Sequence, residues 1–105
     1  MTRVYHNGTL KLVKILDAEK LTEFGDGHAD ARKRLSKWRS VVESAKWKNP
    51  VEMGDAFPKA DLVSPRTVFD IGSNRIITII DYRQQIVLIE YVLTHDEYMR
   101  GKWRR

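Results

Sequence analysis

The chain has 105 residues and no cysteine, with 19 Lys and Arg against 14 Asp and Glu for a net charge of +5. This length predicts one domain with a single core, and the lack of cysteine excludes disulfides, thiolate metal sites and a cysteine nucleophile. No stretch approaches the ~18 consecutive apolar residues of a membrane span, and no signal peptide begins the chain, so a cytoplasmic protein is expected. The histidines are His6, His28 and His95. Their spacing is not that of a metal site, so neither metal nor cofactor is expected.

Positive charge is concentrated in two segments. In the first, Glu43 is the one acid among seven basic residues: Arg32, Lys33, Arg34, Lys37, Arg39, Lys46 and Lys48. The second segment, at the end of the chain, contains Arg100, Lys102, Arg104 and Arg105. Such unbalanced blocks favour a polyanionic partner, nucleic acid first and an acidic protein second. On charge alone, a solvated helix face and an exposed tail explain these blocks equally well.

The first third of the chain predicts a strand and a short helix. The strand is expected over residues 9–15. Its inward-facing side chains are expected to be Leu10, Leu12 and Ile15. Asp17 is expected to cap a helix over residues 18–24, which the Gly-Asp-Gly sequence after it ends.

Two further helices are predicted in the middle of the chain. Apolar residues at spacings of three and four over residues 29–45 form one stripe. The stripe comprises Ala31, Leu35, Trp38, Val42 and Ala45. Because Trp38 lies in this stripe, it is expected in the core. Asn49 as a cap, Pro50 at the first helical position and Glu52 in the first turn predict a short helix that ends near Phe57.

From residue 61 the hydrophobic period changes to two. Strands are expected over residues 61–63, 66–71, 75–82 and 85–93. Hairpin turns are expected at 72–74 and near 83–84. The segment RIITIIDY is apolar on both faces, which predicts a central strand. The element order therefore predicts an α+β domain, with an N-terminal strand and two to three helices packed on one face of a small, mostly antiparallel sheet.

The last fourteen residues, VLTHDEYMRGKWRR, combine a helix start with candidate chemistry. Thr94 and Glu97 fit the capping box, which places His95 at the first helical position and Tyr98 at the fourth, on a shared face. A histidine that titrates near neutrality can take or give a proton in phosphoryl transfer. The structural alternative is that Leu93 and Tyr98 form a hydrophobic staple and that His95 is a surface residue.

Three longer blocks resemble a known family. They are AKWKNPVEMGDAFPKADLV, TVFDIGSNRII and DYRQQIVLIEYVLTHDEYMRGKW. From about Leu21 to its end, the chain resembles the HigB-type toxins of bacterial toxin–antitoxin pairs, in the RelE/ParE-like superfamily. The resemblance implies a RelE-like fold and an mRNA interferase, an endoribonuclease that cuts messages on the ribosome without a metal and inhibits translation. It also implies three partners: mRNA, the ribosome and a HigA-type helix-turn-helix antitoxin.

The resemblance implies roles for individual residues. The candidates for the chemistry are His95, Tyr98, Arg75, Lys48 and Arg83. The candidates for RNA contact are Lys46, Trp47, Arg66, Arg100, Lys102 and Arg104. In such a reaction His95 would be acid or base, Tyr98 would orient the phosphate or the proton carrier, and the cations would stabilise charge on phosphorus. Trp47 or Trp103 would stack on a base.

Each role has a plainer alternative, and the chain departs from the family pattern. Arg75 and Arg83 also suit exposed turn positions, and Trp47 suits the core. Residues 74–77 stand where many relatives have a Lys/Arg-Tyr-Arg run, and Asp96 stands where a small residue is usual. Two other functions therefore stay open: a ParE-like toxin that binds a protein target without nuclease activity, and a degenerate RNA-binding toxin.

Overall fold

The computed structural model describes residues 11–105, which form an open five-stranded sheet. The strands are β1 Lys14–Leu16, β2 Asp61–Val63, β3 Arg66–Ile71, β4 Asn74–Asp81 and β5 Ile86–Leu93. Their order in the sheet is β1-β5-β4-β3-β2. β1 pairs with β5 in parallel, and the three other pairs are antiparallel. The predicted α+β fold with a mostly antiparallel sheet is confirmed.

Four α-helices and two 3-10 turns complete the described part of the chain. The helices are α1 Glu19–Gly27, α2 Arg32–Glu43, α3 Pro50–Ala56 and α4 His95–Arg100. The 3-10 turns are Ala29–Ala31 and Lys102–Arg104. None of these helices has the length and apolar character needed to span a membrane.

The predicted apolar stripe packs α2 against the sheet. Ala31, Leu35, Trp38 and Val42 are all buried, and they share one core cluster with Phe69. The Trp38 ring meets the Phe69 ring edge-on, with centroids 5.3 Å apart. Burying a large apolar side chain stabilises a fold by about 1.5–3 kcal/mol, so this stripe is a principal source of stability. The core position expected for Trp38 is confirmed.

The central position expected for RIITIIDY is also confirmed, because β4 is the middle strand of the five. Successive residues of a strand point to opposite faces. Ile76 accordingly joins the helix-side core, whereas Ile77 joins a second cluster with Val68 and Trp103 on the other face. Both isoleucines are completely buried. The face away from α1, α2 and α3 is therefore partly covered by the tail that follows β5.

The N-terminal strand is shorter than predicted. Residues 9 and 10, with the expected inward position of Leu10, lie outside the described residues. Within them, β1 begins at Lys14 and pairs with β5 over three residues. Leu12 is 51% exposed, and Val13 is buried in its place. The expectation for Leu12 was wrong because the alternation runs through Val13 and Ile15, and Ile15 packs on the core as predicted.

The start and end of α1 also differ from prediction. The helix has Ala18 at its cap position with no side-chain bond, while Asp17 adopts a left-handed φ of 62°. The Asp17 carboxylate instead lies 3.5 Å from the Lys20 Nζ. The helix does not stop at Gly25, which is buried and whose carbonyl accepts a hydrogen bond of 2.9 Å from Arg32 Nε. This tertiary contact offsets the low helix propensity of glycine.

The remaining boundaries lie close to prediction. The helix expected over 29–45 divides into a 3-10 turn and the shorter α2. At α3 the predicted cap is present, since the Asn49 side chain accepts a hydrogen bond of 3.0 Å from the Glu52 N–H. β2 and β3 have the predicted bounds, β4 is shifted by one residue at both ends, and β5 begins one residue later than predicted. The turn between β3 and β4 uses Gly72 at a positive φ of 64°, a conformation that favours glycine.

Candidate functional site

The tail begins with the capping box that its sequence predicts. The Glu97 N–H donates to Thr94 Oγ1 at 3.2 Å, and Glu97 Oε1 accepts from the Thr94 N–H at 2.9 Å. Gly101, at φ 76°, ends α4 in the left-handed conformation. A six-residue helix is too short to be stable alone, so the box and the contacts that follow it must hold it in place.

Those contacts are a stack of two aromatic rings on the open face of the sheet. The Tyr98 and Trp103 rings are nearly parallel, with centroids 5.2 Å apart. Trp103 is 2% exposed and donates from Nε1 to the Tyr98 carbonyl at 2.9 Å. Leu93 and Tyr98 pack on the same cluster, as the staple alternative requires. The structural explanation thus accounts for the partial burial of Tyr98, while its hydroxyl forms no hydrogen bond with any described residue.

Arg75 is fixed beside this stack. Its guanidinium lies 5.3 Å from the centre of the Tyr98 ring. Arg75 Nη1 forms an ion pair of 3.0 Å with Asp70 and donates to the Gly72 and Asn74 carbonyls at 3.1 and 2.9 Å. Among the described residues, nothing contacts its Nε or Nη2 by a hydrogen bond. The cation is therefore held in one position and keeps two donor nitrogens for a ligand.

The rest of the tail supplies an exposed imidazole and three exposed cations. His95 begins α4, and its exposed side chain forms no hydrogen bond with any residue between 11 and 105. Arg100, Lys102 and Arg104 are exposed, and the Arg104 guanidinium lies 4.6 Å from the centre of the Trp103 ring. We call His95, Tyr98, Arg75 and Trp103 the tail cluster.

Arg66 is positioned differently from the other predicted RNA contacts. It is half-buried on β3, where its Nε forms a 2.7 Å ion pair with Glu90. Its Nη2 donates to the Arg105 carbonyl at 3.2 Å. Because both Nε and Nη2 are engaged, Arg66 serves in this conformation to attach the end of the tail to the sheet.

A second group of predicted site residues lies at the other end of the sheet. It lines a cavity of about 400 Å³ that we call the basic cavity. Its cations are Lys11, Lys46, Lys48 and Arg83. Glu52 is the acidic residue in the lining, so the cavity is strongly positive.

Gln85 builds the wall of the basic cavity. It is buried at a left-handed φ of 56°, and its side-chain oxygen accepts from the Trp47 N–H at 2.9 Å. Its amide nitrogen donates to the Trp47 and Tyr82 carbonyls. The Tyr82 hydroxyl is buried and has no partner among the described residues. Burial raises the pKa of the Tyr82 phenol, so it is neutral at physiological pH.

The structure thus separates residues that the sequence analysis grouped. Arg75 lies at the start of β4 and Arg83 two residues beyond its end. A strand rises about 3.3 Å per residue, so the ends of β4 are roughly 23 Å apart. Arg75 contacts Tyr98 at one end, where His95 begins α4, whereas Lys48 and Arg83 lie at the other. One phosphate cannot contact both groups.

The expectation that Trp47 or Trp103 stacks on a base needs correction. Trp47 is 5% exposed and Trp103 2%, so neither ring has a face open for a base to stack on. Trp47 packs edge-on against Phe57 in the helix-side core, with ring centroids 6.0 Å apart. Hydrophobic burial therefore decides the position of both indoles.

Tyr91 is the aromatic residue that sequence reasoning missed. It is 43% exposed and lines a cavity of about 260 Å³ between β5 and the tail. Strict alternation from the buried Ile89 would turn Tyr91 toward the helices. The pairing of β4 with β5 is irregular here: Thr78 pairs with Ile89, but the next residue, Ile77, pairs with Tyr91. Glu90 is left as a bulge, and Tyr91 therefore lies on the open face. Nothing in the local sequence marks this bulge.

Comparison with known proteins shows a family match that includes most of the tail. A model of the HigB_toxin family, described as the RelE-like toxic component of a toxin-antitoxin system, matches residues 31–101. The match covers two thirds of the chain and includes β4, β5 and α4. No match was found among curated proteins. Within residues 11–105, no three His, Asp or Glu side chains are grouped closely enough to hold a metal ion.

Proposed function

The chain belongs to the HigB family of RelE-like toxins, the toxic components of toxin–antitoxin systems, and from this membership we propose that it is an endoribonuclease. In this proposal it cuts mRNA on the ribosome in the cytoplasm, without a metal, and so inhibits translation. Family membership implies an antitoxin partner. We propose that this partner is a HigA-type helix-turn-helix protein whose acidic segment covers the exposed cations of the tail.

The observation that carries the proposal is the arrangement of the tail cluster. The Arg75 guanidinium lies 5.3 Å from the Tyr98 ring on the open face of the sheet, and the exposed His95 imidazole begins the same short helix as Tyr98. Asp70 and two carbonyls hold Arg75 while its Nε and Nη2 stay available. A preorganised cation needs little rearrangement when charge develops on a phosphate, which is the condition for strong electrostatic catalysis.

These groups supply the parts of RNA transesterification. The 2′-oxygen forms a bond to the adjacent phosphorus as a base removes its proton. The bond from phosphorus to the 5′-oxygen breaks, and an acid protonates that oxygen. His95 would be one of these proton carriers, and Tyr98 would orient the phosphate or the other carrier. Arg75 would stabilise the additional charge on the five-coordinate phosphorus, and the products are a 2′,3′-cyclic phosphate and a 5′-hydroxyl.

The exposed cations extend the proposed RNA path. Arg100, Lys102 and Arg104 would contact phosphates close to the cut, since they follow the tail cluster directly in the chain. Lys46, Lys48 and Arg83 lie too far away to act on the same phosphate and would contact the RNA backbone at a distance. Contacts of this kind contribute affinity that weakens as salt is added.

The proposal is tested with a pair of histidine variants. His95→Ala removes the exposed imidazole, and its matched control, His28→Ala, removes one that is half-buried and stacked 4.0 Å from Phe24. Loss of one proton carrier lowers such rates by about 10²- to 10⁴-fold. On induced expression, wild type and His28→Ala should arrest growth and create new mRNA 5′ ends, whereas a folded His95→Ala should do neither.

The other outcomes separate the alternatives. If both variants cut at the wild-type positions, His95 has only a structural role at the start of α4, and other residues carry out the chemistry. Growth arrest with intact transcripts would favour a toxin that acts by binding a protein target. Normal growth with the wild type, when it is folded and free of antitoxin, would indicate a degenerate copy and end the nuclease proposal.

A further inference from the structure

The cavity between β5 and the tail has an apolar wall and a charged rim. Tyr91 and Leu93 from β5 and Trp103 from the tail form the wall, while Glu97, Arg100 and Lys102 form the rim. Its volume is about 260 Å³, below the roughly 300–1,000 Å³ of pockets for drug-sized ligands. The cavity therefore has room for one aromatic ring system with the group that is attached to it.

The chemistry of this cavity matches one nucleotide of a single-stranded RNA. The exposed Tyr91 side chain provides an aromatic surface on which a base can stack, which is a common way to hold unpaired nucleotides. Arg100 and Lys102 form no ion pair within the described part of the chain, so both can contact a phosphate. We propose that this cavity binds one base of the RNA substrate, next to the tail cluster. This inference rests on the proposed endoribonuclease function.

Glu97 gives the proposed subsite a preference among bases. Its Oε1 is engaged by the Thr94 N–H and hydroxyl. Oε2 forms no bond to any described residue, and an ionised carboxylate can only accept hydrogen bonds. Adenine, cytosine and guanine each present an exocyclic amino group to such an acceptor. Uracil presents one N–H between two carbonyl oxygens that repel the carboxylate, so this subsite disfavours uracil.

The structure offers a substitution that changes this preference without breaking the helix. Glu97→Gln keeps a side-chain oxygen for the Thr94 N–H, since glutamine also suits the capping box. It replaces the free acceptor with an NH₂ donor, which suits a uracil carbonyl. Tyr91→Ala removes the aromatic surface on which the base would stack, whereas Tyr91→Trp keeps an aromatic ring at this position and should bind RNA as the wild type does. Leu62→Ala, an exposed apolar residue on edge strand β2, is the matched control.

The experiment measures cleavage of four messages that differ at one base, loaded on ribosomes, together with base frequencies around transcript ends in cells. Wild type should cut the message with uridine at one position near the cut about fivefold more slowly, or slower still, than the messages with other bases there. About fivefold is the factor for one net hydrogen bond. Glu97→Gln should abolish or reverse that preference. Tyr91→Ala should raise KM by roughly 5- to 150-fold, the range for loss of one stacked base. Leu62→Ala should change neither.

Failure of the subsite and failure of the function are distinguishable. If wild type cuts but Glu97→Gln has the same base frequencies and Tyr91→Ala the same KM, the subsite is wrong and the endoribonuclease proposal stands. The subsite is also wrong if Tyr91→Ala and Tyr91→Trp are impaired equally, because the effect is then structural. If folded wild type cuts no message, the function and the subsite are both wrong.

Discussion

The two ends of the sheet are both rich in cations, yet they differ in how those cations are held. At the tail end, Arg75 is fixed by Asp70 and two carbonyls, beside an aromatic stack and an exposed histidine. At the basic cavity, Arg83 is exposed and its guanidinium has no bond to any described residue. Positive charge thus indicates where a polyanion can lie, whereas fixed donors beside a titratable group indicate where chemistry can occur.

The buried polar groups reinforce this difference. In the basic cavity, the Gln85 side chain forms hydrogen bonds with both the N–H and the carbonyl of Trp47. The neighbouring Tyr82 phenol is neutral. These contacts hold the segment around Trp47 in place, and burial keeps the Tyr82 phenol protonated. At the tail end the Tyr98 and Trp103 rings stack on each other, and the His95 imidazole is exposed.

The largest effect is expected for Trp103→Ala. The indole is buried, stacks on Tyr98 and packs with Val68 and Ile77, so its loss should lower the free energy of unfolding by about 3–5 kcal/mol. Urea denaturation checks this value. Met99→Ala, at a 66% exposed position of α4, is the control and should change it by less than ~0.5 kcal/mol. A loss below ~1 kcal/mol for Trp103→Ala would show that the tail does not depend on this stack.

An intermediate effect should separate two arginines at opposite ends of β4. Arg75→Ala should lower the cleavage rate by about 10²-fold, the lower range for loss of one charge-stabilising donor group. Arg83→Ala should weaken RNA binding a few-fold and reduce its dependence on salt, as expected for a phosphate contact. Single-turnover cleavage at two salt concentrations measures both. Equal losses of rate would place the basic cavity in the chemistry and contradict the division between the two ends.

The smallest effect is expected for Tyr82→Phe, through pH. Because burial raises the Tyr82 pKa, the folded chain keeps a proton that the unfolded chain releases above its ordinary pKa of about 10. Stability should therefore fall as pH rises above about 10, and less steeply in Tyr82→Phe. At neutral pH the substitution removes an unpaired hydroxyl and should cost less than ~1 kcal/mol. Thermal unfolding from pH 8 to 11 tests this, with Tyr91→Phe as the exposed control. Parallel curves of Tm against pH for wild type, Tyr82→Phe and Tyr91→Phe would contradict a role for the buried phenol.

Much of the fold followed from local rules that operate within a few residues. The α2 stripe, the Asn49 cap, the Thr94–Glu97 box and the bounds of β2 and β3 were predicted because each depends on periodicity or on a side chain bonding to a nearby backbone group. Where a distant contact overrode local preference, prediction failed. Gly25 did not end α1, because Arg32 supports it from the following helix.

The candidate site was predicted less completely, for a different reason. His95, Tyr98 and Arg75 were named in advance, but Lys48 and Arg83 were grouped with them because the sequence shows charge and not distance. Trp47 or Trp103 was expected to stack on a base, with the core as the alternative for Trp47, since a sequence cannot show which indoles are buried. Tyr91 was overlooked because a bulge, set by how β4 and β5 pair, reverses its direction.

By itself, the sequence determined the α+β class, the family, the central position of β4 and the capped helix that displays His95. These depend on periodicity, on short-range capping and on blocks of residues that stand in a recognisable order. Only the tertiary structure decided which cations share a location, which aromatic rings are open to a ligand and how Arg75 is fixed. Those features depend on strand register and on contacts between residues far apart in the chain, which pairing and packing settle together.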